Sequence, residues 1–325
     1  MSKWVLPMIR THSGSQAWLT DNLDDMMKLR EKCNRFRVLI VGRANAGKTT
    51  ILQKICNTTE DATIQDPRGQ SFDKSVLLPT HMRGMHDIEN EMVFPNNPGF
   101  VFHDSRGIEA GGVDELQLLK KFITTRSKAK KLEDRIHVIW YCIPVDNDRI
   151  FTTTEDGLFD GLVLGKAPVI AIFTKFDHRD IPAYKALTKE GIEREKAREL
   201  APARAMQDFE KDCLELIYKR KNPPKKHVYL RDMHHPDTTC IELAERTAEA
   251  LESGVLKMMF VSTQRASLSL CMKYSIERIV VTKFIEYRRT VGVMPLLNQE
   301  DMKKLACYVL VYFPNDLDVS PCFRY

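Results

Sequence analysis

The feature that most constrains the fold is an apolar segment that runs into a loop bounded by glycines. Residues 36–50 read FRVLIVGRANAGKTT, in which four residues separate Gly42 from Gly47, and Lys48 and Thr49 follow. The spacing G-x-x-x-x-G-K-[ST] between a buried strand and a helix is typical of a phosphate loop. The glycines let backbone N–H groups turn inward toward phosphate oxygens. The helix that follows adds the positive end of its dipole.

The side chains of this loop have separate expected roles. We expect Lys48 to act catalytically as a point charge on the β- and γ-phosphates, and the Thr49 hydroxyl to ligate Mg²⁺. The predicted nucleotide contacts in the loop are Arg43, Ala44, Asn45, Ala46, Gly47, Lys48, Thr49 and Thr50.

Strand-like and helix-like segments alternate along the chain. Short apolar runs predict strands over 36–41, 88–94, 99–104, 136–143, 167–173, 227–233 and 308–313. Helical spacing predicts helices over 48–56, 113–128, 153–164, 180–221 and 238–253, and we expect Pro182 and Pro202 to break the fourth of these. This alternation predicts an α/β fold with a mostly parallel sheet and helices on both faces. Taken with the phosphate loop, it predicts the three-layer fold of a P-loop NTPase.

The predicted organisation is one central domain with two extensions. Residues 1–34 form a helical N-terminal extension, and 35–255 form the central domain with a helical insertion at about 180–225. Residues 256–325 form a mainly helical C-terminal extension. The stretch 57–79 is expected to be a long mobile loop, which in a compact domain is usually functional or disordered.

Composition restricts location and partners. No apolar run approaches the roughly 18–20 residues that span a bilayer, and the N-terminus has no apolar signal region. The eight cysteines form no CxxC pair, which favours reduced thiols in a cytoplasmic protein. The net charge of +5 is mild, but the run KRKNPPKK (219–226) leaves nucleic acid or membrane contact open, with a solvated linker as the preferred interpretation.

A second motif indicates which base is bound. Thr174, Lys175 and Asp177 form a T-K-x-D element at the end of a buried strand. The Asp177 carboxylate can accept hydrogen bonds from N1–H and the exocyclic amine of guanine, whereas the ring nitrogen of adenine would repel it. The stem of Lys175 can lie over the base plane. The sequence therefore predicts a guanine nucleotide, GTP or GDP.

A third motif, D-x-x-G, is expected to respond to the γ-phosphate. Asp104 can hold Mg²⁺ through a water, and Gly107 can offer its backbone N–H to the γ-phosphate as a catalytic contact. A threonine should close on Mg²⁺ from the preceding loop. Thr80 is the preferred candidate for this metal and catalytic role, and Thr63 is the alternative, judged too distant to feed directly into the strand at 88–94.

With these motifs in order, the chain resembles the GTPases of the translation-factor-related P-loop class. The loop GRANAGKT is most similar to the Era/TrmE-like branch, in which an asparagine occupies the position of Asn45. The segment HDSRG followed by EAGG is similar to that of uncharacterised fungal G-domain proteins. The resemblance covers about 36–253 and implies a G domain that hydrolyses GTP to GDP with Mg²⁺ as a molecular switch.

The resemblance also implies contacts that single motifs do not show. The last guanine-contact loop should follow the sixth strand, which places it at 231–233 and makes Met233 a nucleotide contact. The alternative is 262–264, whose letters S-T-Q are closer to the usual S-A-K. By the same resemblance, Asn45 is a candidate to help hold K⁺, and Arg83 and Arg106 are candidates to neutralise charge near the switches.

Two departures from the family pattern bear on activity. Thr174 stands where asparagine is usual, which would weaken one contact to the base or its loop. Ile108 follows the D-x-x-G motif and cannot orient water as glutamine does, so hydrolysis should be slow alone and depend on another residue, an activating protein or a homodimer. The alternatives are a GTP-binding interaction module with little or no hydrolysis and an adenine-specific P-loop enzyme, against which Asp177 argues.

Overall fold

The computed structural model describes residues 33, 35–66, 70, 87–105, 113–147, 150, 159, 166–263, 270–271 and 273–274. The strands are β1 (Phe36–Gly42), β2 (Thr63–Gln65), β3 (Glu91–Phe94), β4 (Asn97–Asp104), β5 (Val138–Pro144), β6 (Val169–Thr174) and β7 (Lys226–Tyr229). The helices are α1 (Lys48–Ile55), α2 (Val113–Ser127), α3 (Asp180–Lys189), α4 (Arg194–Phe209), α5 (Glu215–Tyr218), α6 (Ile241–Ala250) and α7 (Gly254–Thr263).

The strands form one sheet in the order β2-β3-β4-β1-β5-β6-β7. β1 pairs in parallel with β4 and β5, and parallel pairing continues through β6 to β7. β3 runs antiparallel to its neighbours β2 and β4. Since the chain leaves the central strand β1 toward one side and later fills the other, a crevice is expected beyond its carboxyl end. The predicted three-layer α/β fold with a mostly parallel sheet is confirmed.

Alternate residues of the central strands face two separate cores. Val38 and Trp140 point to the side that α1, α6 and α7 cover. Leu39 and Tyr141 point to the other side, where α2 and the end of α4 pack. Because helices cover both faces, the strands are apolar at nearly every position, as the sequence predicts.

The helical insertion differs from its prediction in where it breaks. Pro182 lies in the first turn of α3, where its missing N–H has no partner to lose. Pro202 lies inside α4, which continues through it to Phe209. The break falls instead between α3 and α4, at Gly191, whose φ of 87° suits glycine. The expectation that both prolines break the helix is therefore wrong, because alanines hold α3 and α4 together on either side of Pro202.

The stretch expected to be one long loop contains a strand. β2 pairs with the outer edge of β3, and Thr63 lies opposite Val93. Thr63 lies beside this strand through pairing, because the chain returns along the sheet edge directly after α1, but it does not lead directly into β3 along the chain. It lies two strands away from β4 and its Asp104. The strand predictions at 36–41, 88–94, 99–104, 136–143, 167–173 and 227–233 are confirmed, with β3 and β7 shorter than predicted. The predicted strand at 308–313 lies outside the described residues.

Helix α7 packs on the sheet beneath β1 and β4. The Phe260 ring is fully buried, with its centroid 5.0 Å from that of Phe36 and 5.9 Å from that of Phe100. Residues 254–263 therefore share the core of the predicted central domain. The predicted elements at 1–34, at 153–164 and beyond 263 lie outside the described residues. The exceptions are residues 33, 159, 270–271 and 273–274.

Three surface observations bear on location and partners. None of the described helices is long and apolar enough to cross a bilayer. The described cysteines are free thiols. In the basic run 219–226, Lys219 pairs with Glu215, and Lys225 and Lys226 pair with Glu252 and Glu249 of the neighbouring helix region.

Candidate functional site

The phosphate loop curls between the end of β1 and the start of α1. Asn45 and Gly47 adopt left-handed conformations, with φ of 58° and 79°. The Ala46 N–H donates to the Arg43 carbonyl at 3.2 Å, which closes the loop. Gly47 precedes the first residue of α1, and none of the described side chains caps that turn. The N–H groups at the amino end of α1 are thus left to a ligand, as the motif predicts.

Gly42 is required where β1 passes close to β5. A Cβ on Gly42 would lie 2.6 Å from the Cys142 carbonyl oxygen, inside van der Waals contact. At Gly47 a Cβ would meet nothing within 4 Å, so that position needs glycine for its backbone conformation alone. The two glycines of the motif therefore serve different physical purposes.

Lys48 and Asp104 meet at the mouth of the loop. The Lys48 Nζ donates to the carbonyls of Gly42 and Arg43, at 3.1 Å each, and lies 3.8 Å from Asp104 Oδ1. Burial raises the pKa of Asp104 to about 6, although the nearby Lys48 opposes the shift. Asp104 Oδ1 is buried and has no hydrogen-bond partner among the described residues. The structure thus brings together two of the residues that the sequence assigns to phosphate and Mg²⁺.

An unsatisfied buried carboxylate oxygen fits a hydrated magnesium ion. Mg²⁺ prefers oxygen ligands and keeps several waters, which can donate to a carboxylate. Thr49, on the first turn of α1, exposes its side chain beside the loop. The chemistry of Thr49 and Asp104 therefore fits the ion. The remaining predicted residues of this region, Thr80 and Gly107, lie outside the described residues.

The T-K-x-D element follows β6 directly. Thr174 ends the strand, and Lys175 turns the chain with a φ of 56°. The Asp177 Oδ1 accepts a hydrogen bond of 3.1 Å from the Asp232 N–H. The carboxylate is thereby fixed at the carboxyl edge of the sheet, the same edge at which the phosphate loop leaves β1. The Thr174 Oγ1 is buried and has no partner within the described part of the chain.

Asp146 is a site residue that sequence reasoning missed. It lies two residues beyond the end of β5, and its carboxylate is 2.6 Å from the Lys175 Nζ. Burial acts to raise the pKa of Asp146, but the hydrogen bond and charge of Lys175 outweigh burial and hold that pKa below its usual range. The ammonium of Lys175, whose stem is expected to lie over a base, thus has an acidic partner in Asp146. One aspartate after a strand offers no spacing signal that would have revealed it.

The two candidates for the last guanine-contact loop lie at different ends of the sheet. The chain from Leu230 to Met233 follows β7 and reaches Asp177 through the Asp232 N–H. Met233 itself is partly buried and packs against the core beneath β1. In contrast, the Thr263 carbonyl accepts a hydrogen bond from the Asn97 side chain at the start of β4. Ser262 and Thr263, the described residues of the alternative at 262–264, therefore lie at the edge opposite to Asp104.

Comparison with known proteins gives structural likeness without close sequence relatives. No model of a known protein family matches the chain, and no curated protein matches it either. Among similar solved structures is the G domain of the FeoB iron transporter of T. maritima, with 16% identity, a TM-score of 0.34, and coverage of 66% of this chain and 98% of that one.

Two further solved structures hold GDP. One is a GDP-bound mutant of the S. thermophilus FeoB G domain, with 10% identity, a TM-score of 0.34, and coverage of 85% of this chain and 88% of that one. The other is a GTP-binding protein of the archaeon Sulfolobus solfataricus in complex with GDP, with 15% identity, a TM-score of 0.32, and coverage of 71% and 54%. The fold assignment rests on the strand order and the phosphate loop described above, and not on these likenesses.

Proposed function

We propose that this chain binds GTP and GDP with Mg²⁺ and hydrolyses GTP as a molecular switch. The observation that supports this most directly is the position of Asp177. Its carboxylate is fixed by the Asp232 N–H at the edge of the sheet where the phosphate loop begins. A guanine contact and a triphosphate contact on one sheet edge are what a G domain requires.

The phosphate side of the proposal starts from the position of the Lys48 side chain. Its ammonium rests on the carbonyls of Gly42 and Arg43, and we infer that it turns to the β- and γ-phosphates when nucleotide binds. The backbone N–H groups at the start of α1 would receive the phosphate oxygens. Thr49 and Asp104 would hold Mg²⁺, with Thr80 completing the set. The ion would supply charge neutralisation at the β- and γ-phosphates.

The base side of the proposal depends on matched donors and acceptors. Asp177 would accept from N1–H and the 2-amino group of guanine while its Oδ1 keeps the Asp232 N–H. Adenine offers an acceptor at N1, so an ATP complex would bury two unpaired acceptors, which is strongly unfavourable. Met233 lies on the loop that faces this carboxylate and is proposed as the last contact to the nucleotide.

The hydrolytic step is proposed to be slow in the isolated protein. Gly107 would offer its N–H to the γ-phosphate, whereas Ile108 has no group that orients the attacking water. K⁺ held with the help of Asn45 is a candidate source of additional positive charge, and an activating protein or a homodimer is another. Ile108 equally favours the second function, a GTP-binding interaction module that hardly hydrolyses its ligand.

Single-turnover hydrolysis separates these functions. Purified protein is mixed, in excess, with radiolabelled GTP in the presence of Mg²⁺ and either KCl or NaCl. The release of phosphate is then followed over time. We expect release of phosphate faster than from free GTP, lost in Lys48→Ala and retained in Lys185→Ala, a control at an exposed position of α3. A rate equal to that of free GTP, with GTP bound, would leave the interaction module. If GTP does not bind at all, the proposal fails.

A further inference from the structure

A cluster of metal-binding side chains lies on the loop after β7, beside the residues already assigned. The ligand atoms of Asp232, His234 and His235 all lie within 4.8 Å of one another, and all three residues are exposed. The base-recognition role proposed above uses only the backbone N–H of Asp232. The three side chains therefore have no part in guanine or phosphate recognition.

Hydrogen bonds to the backbone of the loop keep these three residues on one turn. The Asp232 carbonyl accepts hydrogen bonds of 2.9 Å from the His235 N–H and from the Thr238 hydroxyl. Asp232 is held in the left-handed conformation, with a φ of 50°. On the other side, the Lys54 Nζ donates to the carbonyls of His235 and Pro236 at 2.6 Å each. The turn is thus closed internally and anchored to α1, so a ligand would find the three side chains already gathered.

The composition of the cluster selects one class of ion. Two imidazoles and one carboxylate suit borderline divalent ions such as Zn²⁺, Co²⁺ and Ni²⁺, whereas Mg²⁺ and Ca²⁺ prefer oxygen ligands alone. None of the three side chains has a hydrogen-bond partner among the described residues, and the two imidazole rings lie 4.2 Å apart between centroids. Tetrahedral bonds of roughly 2.0–2.1 Å require ligand atoms roughly 3.3 Å apart, which rotation of exposed side chains can reach.

We propose that Asp232, His234 and His235 form a binding site for a divalent transition-metal ion, with Zn²⁺ as the best-fitting occupant and water in the open position. This site is separate from the magnesium site, which uses oxygen ligands at Thr49 and Asp104. It lies on the loop that contacts Asp177 and is pinned by Lys54 to the helix after the phosphate loop.

If the chain binds nucleotide as proposed above, metal binding at this loop is coupled to it. Bound metal would restrain the turn whose Asp232 N–H fixes the guanine-binding carboxylate, and so would reduce the ordering cost of nucleotide binding. Linkage requires that the nucleotide in turn tighten the metal. We expect GDP to bind about fivefold more tightly with the metal site filled.

The test of the site uses the full chain without nucleotide. Isothermal titration with ZnCl₂ should show one ion per chain, and Co²⁺ should give visible absorption bands of a low-symmetry site. His234→Ala, His235→Ala and Asp232→Asn should each weaken Zn²⁺ binding by about tenfold or more. His178→Ala removes an exposed imidazole from the short 3-10 helix after β6 and should leave the affinity unchanged.

The outcomes are distinguishable. Absence of Zn²⁺ binding, or binding that the three variants do not weaken, would overturn the site, as would an equal loss in His178→Ala. Circular dichroism of each variant confirms that folding is retained. GDP affinity is then measured at constant Mg²⁺ with and without Zn²⁺, and an unchanged value would overturn the coupling. Binding of Zn²⁺ as expected, without binding of GDP, would contradict the proposed function and still support the metal site.

Discussion

At the scale of single residues, Asp104 occupies an environment that opposes its own charge. Its raised pKa of about 6 means that the folded protein holds a proton on this carboxyl at a pH where the unfolded chain has released it. Between about pH 4 and 6 the folded state therefore binds more protons, and stability falls as the pH rises through this window. Above pH 6 the penalty of the buried charge is fully present.

Asp104→Asn removes this penalty without changing the shape of the side chain. We expect the nucleotide-free variant to be more stable than the parent by about 1–2 kcal/mol at pH 7.5, after allowing for partial exposure to solvent. At pH 4 the two should be nearly equal. Urea unfolding in the absence of Mg²⁺ at both pH values measures the difference, and equal stability at pH 7.5 would contradict the assignment of a destabilising charge.

Asp177→Asn tests base recognition at one atom pair. An asparagine amide would donate to the 2-oxo group of xanthine, where guanine has an amine. We expect GDP affinity to fall by about 100-fold or more, because the asparagine NH₂ and the guanine 2-amino group would be two donors facing each other. Affinity for xanthosine diphosphate should rise. Fluorescence competition between the two nucleotides measures the exchange. Asp180→Asn, at a carboxylate paired with Arg231 instead, should leave the preference for guanine intact.

Residues of the candidate site can be predicted from sequence where a motif fixes their spacing. Lys48 and Asp177 each stand at a set distance from a strand end and a turn, and their chemistry follows from that position. Asp146 and Lys54 were not predictable. Each acts through a partner distant in sequence, Lys175 and the 235–236 carbonyls, and no local pattern encodes such a pairing.

At the scale of elements, the junction of β1 with β5 has almost no free space. Gly42→Ala would push a methyl group against the Cys142 carbonyl, and we expect a loss of about 2–3 kcal/mol in the free energy of unfolding. Gly47→Ala meets open space and should cost only about 1 kcal/mol, the strain of its left-handed backbone. Urea unfolding of the nucleotide-free variants ranks the two, and the reverse order would show that the close approach is relieved elsewhere.

The two prolines of the insertion differ in what they take from their helices. Pro202→Ala restores a backbone N–H donor inside α4. The unfolded chain also gains entropy when proline is removed, which offsets part of this gain. We expect a net stabilisation of about 1–2 kcal/mol. Pro182→Ala, in the first turn of α3, should change stability by less than about 0.5 kcal/mol. Thermal unfolding of both variants tests the contrast, which is absent if α4 is already kinked to accommodate the ring.

Elements with long apolar runs could be read from sequence, whereas β2 could not. Its three residues, Thr-Ile-Gln, are too few to show a period, and it exists because the edge of β3 offers unpaired N–H and C=O groups. The continuity of α4 through Pro202 was missed for a related reason. Packing of alanines between two helices outweighed the local preference of proline to end a helix.

At the scale of the whole molecule, a ligand that binds only the folded state raises its stability by mass action. At GDP concentrations of about 100 times the dissociation constant, the gain should be about 2.7 kcal/mol, seen as a higher melting temperature in scanning calorimetry with Mg²⁺. ADP at the same concentration should give almost no shift. Equal shifts with the two nucleotides would contradict guanine selection by Asp177, and a larger shift with ADP would favour the adenine-specific alternative.

Residues on both sides of the predicted domain boundary at residue 255 belong to one continuous hydrophobic core. Phe260 of α7 closes over Phe36 and Phe100, and Leu270, Cys271 and Tyr274 belong to the same cluster. A recombinant fragment that stops at residue 253 would lack Phe260 and so uncover the rings of Phe36 and Phe100, and it should precipitate on expression. Fragments intended for crystallisation should therefore extend past Tyr274, and a protease that cuts between α6 and α7 should release no independently folded piece.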